Sequence, residues 1–326
     1  MCRCFFFKGA KVKIVYITGC LGFIGSHITR ECLKKGWKVF GVDKETYVAN
    51  TSLLKEFSEY QNFKFLKTDI KDLEHLYDCD YVINTAAESH VGNSIIDSTN
   101  FINSNILGVK NLLDLIRNKQ ENCNKRPILL HFSTDEVYGD ILTGSHTESD
   151  LLKPSNPYSA AKASADMLVI AWARTYGINY VIVRPTNNYG IGQYPEKLIP
   201  LSVKNLQRGM KIRLHNNGTP KRNWLHVEDT TDGILKIINS NSVNQVYNID
   251  GNYEQANLEI VKKIIKYYHD TDNWEEYVDF SYNRIGQDLR YSLDDSKIRS
   301  LGWKPIKIFD NEIKKIVEYY KRNFIW

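Results

Sequence analysis

The chain has 326 residues, of which 42% are hydrophobic and 25% are charged, which is typical of a folded globular protein. This length exceeds the usual size of one compact core, so we expect one large domain and a smaller lobe. The composition excludes collagen-like, disordered and coiled-coil chains, and no apolar run approaches the roughly 18 residues of a membrane helix. The net charge of +5 comes mostly from dispersed lysines, so no partnership with a nucleic acid or a membrane is expected.

The cysteines are dispersed and give no pattern of paired spacing. The first seven residues contain too short an apolar run for a secretory signal core, so we expect reduced cysteines and a cytoplasmic protein. Cys2 and Cys4 lack the second Cys/His pair that would complete four metal ligands, and no metal site is expected. The six cysteines are Cys2, Cys4, Cys20, Cys32, Cys79 and Cys123.

The first two thirds of the chain alternate short β-branched runs with amphipathic stretches. Strands separated by helix-length segments predict a parallel sheet with helices on both faces, which is a doubly wound α/β domain of the Rossmann kind. The predicted strands are Val12–Thr18, Lys38–Asp43, Phe63–Leu66, Tyr81–Ala86, Pro127–Ser133 and Asn179–Arg184. The predicted helices are Phe23–Lys35, Asn100–Asn118 and Tyr158–Tyr176.

The pattern changes after Pro185, where Asn, Gly and Pro cluster over residues 187–200 and again over 215–220. Val246–Asp250 returns to strand character, and Asn257–Tyr268 is predicted as a helix. We therefore expect the stretch in between to rejoin the sheet and the remainder to form a smaller C-terminal substrate lobe. The predicted division is a dinucleotide-binding domain of residues 1–186, rejoined by about 224–250, and a lobe of residues 187–223 and 251–326.

A glycine-rich turn follows the first predicted strand. Gly19, Gly22 and Gly25 permit a tight turn, close approach of a pyrophosphate and close helix–strand packing. The following helix directs its free N–H groups at the phosphates. Asp43 ends the next strand, where it can accept bonds from the adenosine ribose and repel a 2′-phosphate. The turn and Asp43 together predict NAD as the cofactor. Lys44, a cation next to Asp43, makes the choice of NAD over NADP less clear. The alternative interpretation is an ordinary strand–helix turn that binds no cofactor.

Further cofactor contacts are predicted along the same groove. Asp69 and Ile70 follow the third strand, where they can reach the adenine, and Ala86 and Ala87 follow the fourth, beside the middle of the cofactor. The other predicted cofactor contacts are Phe23, Ile24, Lys44, Thr46 and Ser104, together with Tyr158 and Lys162.

A tyrosine and a lysine four residues apart, Tyr158 and Lys162, share one face of a helix. The ammonium of Lys162 and a positive nicotinamide favour a phenolate, which needs the phenol pKa lowered from about 10 by roughly 3 units. Tyr158 is then a general base that takes a hydroxyl proton while a hydride leaves the same carbon. Thr134, at the end of the fifth strand, can hold that hydroxyl. The alternative is a solvated helix face, because Tyr-x-x-x-Lys is common by chance.

These motifs resemble those of the extended short-chain dehydrogenase/reductase family, and within it the nucleotide-diphosphate-glucose 4,6-dehydratases. The resemblance runs from about Lys13 to Trp303 and implies an NAD-dependent lyase. The segments that carry it are Gly22–Ser26, Asp43–Tyr47, Ala86–Val91, Ser133–Gly139, Asn156–Lys162, Asn187–Gly190 and Pro195–Pro200.

Two adjacent acids, Asp135 and Glu136, separate this reaction from sugar 4-epimerisation, because the related epimerases carry small or neutral residues after the threonine. A dehydratase removes the C5 proton and protonates the departing C6 hydroxyl, a task that suits one ionised and one protonated carboxyl. The resemblance assigns the C5 base to Glu136 and the C6 acid to Asp135. It implies oxidation at C4, loss of water across C5–C6 and hydride return to C6. The alternative for two adjacent acids is a surface patch.

The resemblance also implies a set of residues that bind a nucleotide-diphosphate glucose, among them arginines whose planar guanidinium groups suit phosphate oxygens. The dTDP-glucose enzymes usually show Asp-Arg where this chain has Gly92-Asn93, and histidine where it has Gln287. Asn93, His215 and the run 283–291 look more like the UDP-glucose dehydratases of UDP-rhamnose synthesis, so UDP-glucose is expected ahead of dTDP-glucose. The implied substrate residues are Glu88, Ser89, Thr134, Asn187, Lys197, Leu198, Arg213, His215, Arg222, Asn257, Arg284 and Gln287.

Three other functions fit the same fold. A UDP-sugar 4-epimerase and a UDP-glucuronate decarboxylase are both disfavoured by the Asp135–Glu136 pair. A non-catalytic NAD(H)-sensing protein is disfavoured because Thr134, Tyr158 and Lys162 are all present. The resemblance further implies a homodimer, paired through the two long helices.

Overall fold

Seven parallel strands form the central sheet of the computed structural model, which describes residues 12–123, 126–283, 285–286 and 288–323. The strands are β1 Ile14–Thr18, β2 Lys38–Asp43, β3 Phe63–Lys67, β4 Tyr81–Asn84, β5 Ile128–Phe132, β6 Tyr180–Pro185, β7 Asn187–Tyr189, β8 Ile212–His215, β9 Lys221–His226, β10 Gln245–Ile249, β11 Glu254–Ala256 and β12 Val278–Tyr282. The strand order in the large sheet is β10-β6-β5-β4-β1-β2-β3. The predicted doubly wound α/β fold is therefore confirmed.

Helices cover the sheet and fill the second half of the chain. The helices are α1 Phe23–Lys34, α2 Leu53–Ser58, α3 Val91–Ile96, α4 Thr99–Phe101, α5 Gly108–Cys123, α6 Pro157–Tyr176, α7 Leu198–Gln207, α8 Val227–Asn239, α9 Asn257–His269, α10 Ser296–Arg299 and α11 Phe309–Arg322. The predicted helical segment Asn100–Asn118 is present, because α4, a π-helical turn over Ile102–Leu107 and α5 follow one another without a break. The prediction did not include the π-helical turn, and α5 continues to Cys123.

Apolar residues alternate between the two faces of the large sheet. In β1, Val15 and Ile17 belong to the core on one face, and Tyr16 belongs to the core on the other. Leu130 and Leu129 of β5 divide in the same way. Because both faces are covered, the strands are apolar throughout, as parallel strands usually are. The carboxyl ends of these strands lie at one edge of the sheet, where the functional residues gather.

A separate apolar core lies in the second half of the chain. Tyr189, Val203, Ile264 and Val317 are all buried in it, beside a three-stranded sheet of order β11-β9-β7 and the parallel pair β8–β12. β10 instead joins the large sheet beside β6. The exact domain bounds given above stay a proposal.

The described residues contain no helix that is both long enough and apolar enough to cross a membrane. Cys20, Cys32, Cys79 and Cys123 are free thiols, the first three of them buried. Cys2 and Cys4 lie outside the described residues.

Candidate active site

The glycine-rich turn joins β1 to α1 with very little space around it. Gly19 has a φ of +69°, and a Cβ there would lie 2.8 Å from the backbone nitrogen of Ala86. A Cβ on Gly25 would lie 2.1 Å from the carbonyl oxygen of Gly19, so a side chain cannot fit without moving the backbone. Gly22 precedes α1, and no side chain caps the N–H groups of that helix. The turn therefore leaves a helix N-terminus open to bind an anion such as a pyrophosphate.

Asp43 and Lys44 lie in a small pocket beside this turn. The Asp43 carboxylate accepts hydrogen bonds from the backbone N–H of Leu21 at 3.0 Å and of Glu45 at 2.8 Å. Because a carboxylate has about four acceptor positions, it can still accept bonds from ribose hydroxyls. The pocket is lined by the predicted contacts Asp43, Lys44, Thr46, Asp69, Ile70, Ala86, Ala87, Glu88 and Ser104.

The charge of Lys44 is compensated within that pocket. Its Nζ donates to Ser104 Oγ at 2.8 Å and lies 3.4 Å from Asp69 Oδ2 and 3.6 Å from Glu88 Oε1. A lysine between two carboxylates does not offer a free cation to a 2′-phosphate, which favours NAD over NADP. Glu88 was predicted to bind substrate, but the structure places it here, on the cofactor side.

A cleft of about 260 Å³ continues from the turn along the carboxyl ends of the strands. It brings together residues that the sequence placed far apart. The predicted site residues that line it are Gly19, Gly22, Phe23, Ile24, Gly25, Ala87, Ser89, Thr134, Asp135, Glu136, Tyr158, Lys162, Asn187 and Lys197.

Tyr158 and Lys162 stand on the first turns of α6, which has a strong N-terminal cap. The side chain of Asn156 accepts a hydrogen bond from the backbone N–H of Ser159. The hydroxyl of Ser159 accepts one from the backbone N–H of Asn156, so a capping box fixes the start of the helix. The backbone N–H of Tyr158 donates to Ser94 Oγ at 3.2 Å. The Nζ of Lys162 donates to the carbonyl oxygen of Phe132 at the end of β5.

Burial acts on the two groups in opposite senses. Burial and the nearby Glu136 raise the pKa of Tyr158 above its usual value, and a hydrogen bond with Thr134 opposes them. Burial lowers the pKa of Lys162 to about 8, and the carboxylate of Asp166 opposes that shift. The protein alone therefore keeps the Tyr158 phenol protonated at neutral pH. The positive nicotinamide invoked above would act in the opposite direction.

Asp135 is buried at the start of a 3₁₀ turn, Asp135–Tyr138, directly after β5 and Thr134. Burial and the neighbouring Glu136 raise its pKa to about 8, against the opposing effects of Thr134 and Arg222. Thr134 Oγ1 donates to Asp135 Oδ1 at 3.0 Å, while Oδ2 is buried without a hydrogen-bond partner among the described residues. Asp135 is therefore a neutral acid at pH 7 that can give a proton to a ligand.

Glu136 is half-buried and points its carboxylate toward the second half of the chain. Its Oε2 accepts hydrogen bonds from Asn156 Nδ2 and from the Tyr291 hydroxyl, both at 3.4 Å. The Tyr291 hydroxyl has a single proton, which it shares between Glu136 and the nearer carboxylate of Asp288. The two adjacent carboxyls thus have different surroundings, one enclosed and one in a polar cluster, which is the arrangement that separates an acid from a base.

Two contacts cross the cleft. Lys197 Nζ donates to the carbonyl oxygen of Ser89 at 2.8 Å and to its hydroxyl at 3.2 Å. The Tyr47 hydroxyl donates to Glu196 Oε2 at 2.9 Å. Asn93 lies next to this second contact, with its Nδ2 3.4 Å from the Tyr47 hydroxyl.

Arg222 lies under the site and does not line the cleft. Its guanidinium is buried over the ring of Tyr291, 4.3 Å from the centroid, and donates to the carbonyl oxygens of Lys221 and Asp288 at 2.7 and 2.9 Å. Its charge nevertheless acts on Asp135, as the pKa of that acid shows. A direct contact with a phosphate would require this arginine to exchange its carbonyl partners.

The remaining predicted substrate residues lie farther along the second core. Arg213 is exposed on β8 and stacks on Tyr282 at 4.4 Å. His215 ends the same strand, and Asn257 and Leu198 begin α9 and α7. None of these four lines the cleft or the cofactor pocket. Arg284 and Gln287 lie outside the described residues.

Several cleft residues were not predicted from the sequence. Asn188 accepts a bond from Thr230 at 2.5 Å and donates to the Thr186 carbonyl at 3.0 Å. Asn188 could have been predicted because it is next to Asn187 in the sequence, and Glu196 because it is next to Lys197. Ser133 begins the motif Ser133–Gly139, and nothing in the sequence indicated the remaining residues. The unpredicted lining residues are Val48, Thr85, Phe132, Ser133, Pro185, Thr186, Asn188, Gln193, Tyr194 and Glu196.

Comparison with known proteins identifies the family. The family model described as GDP-mannose 4,6 dehydratase matches residues 16–316. The dTDP-glucose 4,6-dehydratase of Neisseria meningitidis is 37% identical, over 97% of this chain and 95% of its own length. That of Haemophilus influenzae is 38% identical, over 95% and 98%. The chain belongs to the nucleotide-sugar 4,6-dehydratase family.

Solved structures agree with this assignment. A dTDP-glucose 4,6-dehydratase from Streptomyces venezuelae, crystallised with NAD, superposes with a TM-score of 0.89 at 36% identity, covering 95% of this chain and 97% of that one. The UDP-glucose 4-epimerase of Thermus thermophilus, at 22% identity and a TM-score of 0.83, shares the fold alone. This 4,6-dehydratase is therefore a hydro-lyase that uses NAD, as the glycine turn and Asp43 predicted.

Proposed function

We propose that this dehydratase converts UDP-glucose to the 4-keto-6-deoxyglucose nucleotide, a step toward rhamnose or another deoxysugar. NAD would supply the hydride acceptor for C4 as NAD⁺ and, once reduced by that hydride, the hydride donor for C6. Tyr158 takes the proton of the C4 hydroxyl, which Thr134 holds, and Lys162 supports the phenolate with its charge. Glu136 removes the C5 proton, and Asp135 protonates the departing C6 hydroxyl, which leaves as water. When hydride reaches C6, Glu136 returns a proton to C5, and Asp135 regains its proton from solvent as Tyr158 releases the one taken from the C4 hydroxyl. The observation that carries the proposal is the buried Asp135 beside Glu136 in the cleft that also holds Tyr158.

The pKa of Asp135 gives this mechanism a pH dependence. An acid with a pKa of about 8 is protonated below that pH and loses its proton above it. We therefore expect the water-elimination step to slow as the pH rises through about 8. The measurement is the decay of nicotinamide absorbance in a single turnover, followed from pH 6.5 to 9.5. In Asp135→Asn the decay should be slow at every pH, and an unchanged pH profile in that variant would exclude Asp135 as the acid.

The choice of UDP rests on residues where this chain departs from the dTDP-glucose enzymes that it resembles. Gly92-Asn93 replaces Asp-Arg, and Asn93 lies at the edge of the cofactor pocket beside Tyr47. The curated relatives are named for dTDP-glucose, which makes that nucleotide the second candidate. The two bases differ by one methyl group, worth about 1–3 kcal/mol in a pocket, and the ribose of UDP also carries a 2′-hydroxyl that dTDP lacks. A preference of roughly 10–200-fold is expected from the methyl group alone.

The test is kcat/KM with each nucleotide and mass spectrometry of the product. A product lighter by one water, without net NADH, establishes dehydration and excludes 4-epimerisation. A higher kcat/KM for UDP-glucose supports the proposal. A preference for dTDP-glucose would leave the dehydratase chemistry standing and overturn only the choice of nucleotide.

We also propose that the enzyme is a homodimer in the cytoplasm. The family resemblance pairs the two long helices, α5 and α6, with their copies. Ile102, Leu107 and Met167 are large apolar residues near or on these helices, and each is 46–48% exposed. Sedimentation equilibrium should give twice the mass of one chain, and Met167→Glu together with Leu107→Glu should shift the enzyme toward the monomer.

A further inference from the structure

A buried aspartate, Asp166, follows Lys162 by one turn of α6. It is fully buried, and its Oδ2 accepts bonds from Ser133 Oγ at 3.0 Å and from Arg184 Nε at 3.0 Å. Arg184 Nη2 lies 2.9 Å from the same oxygen. A carboxylate held by a guanidinium and a hydroxyl in a dry interior is fixed in one orientation.

This carboxylate belongs to a buried polar chain that runs from the end of β1 to β10. The chain is hydrogen-bonded except between His131 and Asp166, where neither His131 Nε2 nor Asp166 Oδ1 has a hydrogen-bond partner among the described residues. Thr18 donates to Asn84 at 2.6 Å, and Asn84 donates to His131 Nδ1 at 3.1 Å. His131 Nε2 lies 3.7 Å from Asp166 Oδ1. On the other side, Arg184 donates to the Tyr138 hydroxyl at 2.7 Å, and that hydroxyl donates to Asn248 at 2.9 Å.

Lys162 is only 3% exposed, and its hydrogen-bond acceptor is the uncharged carbonyl of Phe132. A buried ammonium needs a nearby negative charge to remain protonated. Asp166 lies one turn of α6 after Lys162, and Ser133, which binds Asp166, follows Phe132, whose carbonyl oxygen binds Lys162. Burial raises the pKa of Asp166 and the guanidinium of Arg184 opposes that shift, while the carboxylate of Asp166 raises the pKa of Lys162. Ser133, which Asp166 binds, precedes Thr134, so the same carboxylate also anchors the end of β5.

We propose that Asp166 is a positioning residue of this dehydratase: its carboxylate, held by Arg184 and Ser133, keeps Lys162 charged and so maintains the C4 oxidation at neutral pH. The inference rests on the proposed function, in which the Lys162 ammonium supports the Tyr158 phenolate. Asp166 itself acts through Lys162 and lines neither the cleft nor the cofactor pocket.

Other titratable groups near Lys162 do not replace Asp166. On β5, His131 is buried, and burial with the charges of Lys162 and Arg184 keeps its pKa well below its usual value, so it is neutral. On β6, Arg184 is positive and disfavours a second cation. In the 3₁₀ turn, Asp135 is protonated at pH 7 and Glu136 points toward Asn156 and Tyr291. Tyr158, on α6 itself, is a neutral phenol at neutral pH in the protein alone and therefore supplies no negative charge to Lys162.

The test is a direct titration of Lys162 by NMR of ¹³Cε-labelled lysine in the NAD-loaded enzyme, with the resonance assigned through Lys162→Met. The wild-type midpoint is expected near pH 8. Removing a buried carboxylate one helical turn from the lysine should lower that midpoint by about 1–2 pH units in Asp166→Asn. The basic limb of the C4 oxidation rate should move to lower pH by the same amount. An unchanged midpoint in a folded Asp166→Asn protein overturns the proposal.

Asp229→Asn is the matched control, because Asp229 is also buried but accepts bonds from the backbone N–H of Ile306 and Lys307, at 3.1 and 3.0 Å. Asp229→Asn should leave the titration midpoint of Lys162 unchanged. A shift as large as that in Asp166→Asn would overturn the proposal, because it would show that loss of any buried aspartate disturbs the structure around Lys162. If Asp166→Asn does not fold, Asp166→Ser takes its place, because serine is smaller and keeps a hydroxyl that can bond to Arg184 without a negative charge. The midpoint should again fall, and no fall overturns the proposal.

The titration and the kinetics separate two kinds of failure. If the midpoint of Lys162 falls while the pH dependence of the C4 oxidation stays the same, Asp166 does hold the charge of Lys162. In that case the charge of Lys162 is not needed for the oxidation. The role of Lys162 in the proposed function would then be wrong, and with it the catalytic part of this inference.

Discussion

Glu136→Gln should stop the reaction after oxidation at C4, with turnover lower by about 10²–10⁴-fold. Glutamine keeps the size of the side chain and an oxygen that can accept the bonds from Asn156 and Tyr291, but it cannot remove the C5 proton. The sugar should therefore wait as the 4-keto-glucose nucleotide while the cofactor stays reduced. In a single turnover, absorbance in the nicotinamide band should rise and persist.

Solvent deuterium gives an independent measurement for this variant. Wild-type product should gain one deuterium at C5, and Glu136→Gln should leave C5 unlabelled. Glu56→Gln is the control, because Glu56 pairs with Arg30 at 2.5 Å on α2, away from the cleft, and should behave as wild type. Normal decay of the absorbance in Glu136→Gln would mean that another group removes the C5 proton.

Tyr158→Phe should abolish the first oxidation, so that neither keto sugar nor reduced cofactor accumulates, again with a loss of about 10²–10⁴-fold. The ring should stay in place, because it packs edge-on against Phe101 at 6.3 Å and its backbone N–H is bound to Ser94. Only the proton acceptor is lost. Calorimetric titration with the nucleotide sugar should therefore show nearly unchanged affinity.

Tyr176→Phe makes the same chemical change at the other end of α6 and serves as the control. Its ring stacks with the guanidinium of Arg117 at 4.1 Å, a contact that phenylalanine keeps. This variant should retain wild-type turnover. Near-normal turnover in Tyr158→Phe would rule out its phenol as the base and leave the oxidation to another group.

The fold was predictable because its evidence is local. β-branched runs, a glycine turn with Asp43 two elements later, and amphipathic stretches between the strands all lie within short stretches of sequence. The π-helical turn before α5 could not be predicted from local sequence. Within this turn, the side chain of Asn105 accepts a hydrogen bond from the backbone N–H of Glu88 at 2.9 Å and donates one to the Glu88 carbonyl oxygen at 3.0 Å. That contact depends on tertiary packing.

The candidate site was predictable where a motif carries its own geometry. Thr134, Asp135 and Glu136 follow β5, and Tyr158 and Lys162 stand on the first turns of α6, which packs beside the end of that strand, so the two motifs meet in one cleft. Two properties of the site could be recognised only in the folded chain. Asp135 is protonated because it is buried, and the charge of Lys44 is neutralised by carboxylates that are distant in sequence. Arg222 is the clearest case in which the sequence motif was not sufficient. The motif suggests a cation that is free to bind phosphate, but in the structure the guanidinium donates to backbone carbonyl oxygens.

The position of β10 in the large sheet determines when that sheet can be completed during synthesis. β6 pairs with β10 from Val181 to Pro185, so its outer edge stays unpaired until Ile249 has left the ribosome. Asn248 then bonds to the Tyr138 hydroxyl and to the carbonyl oxygens of His146 and Asp294, which closes the polar chain only after still more of the protein has emerged. A nascent chain that stops before Gln245 presents an apolar strand edge, the kind of surface that chaperones cover and that otherwise aggregates.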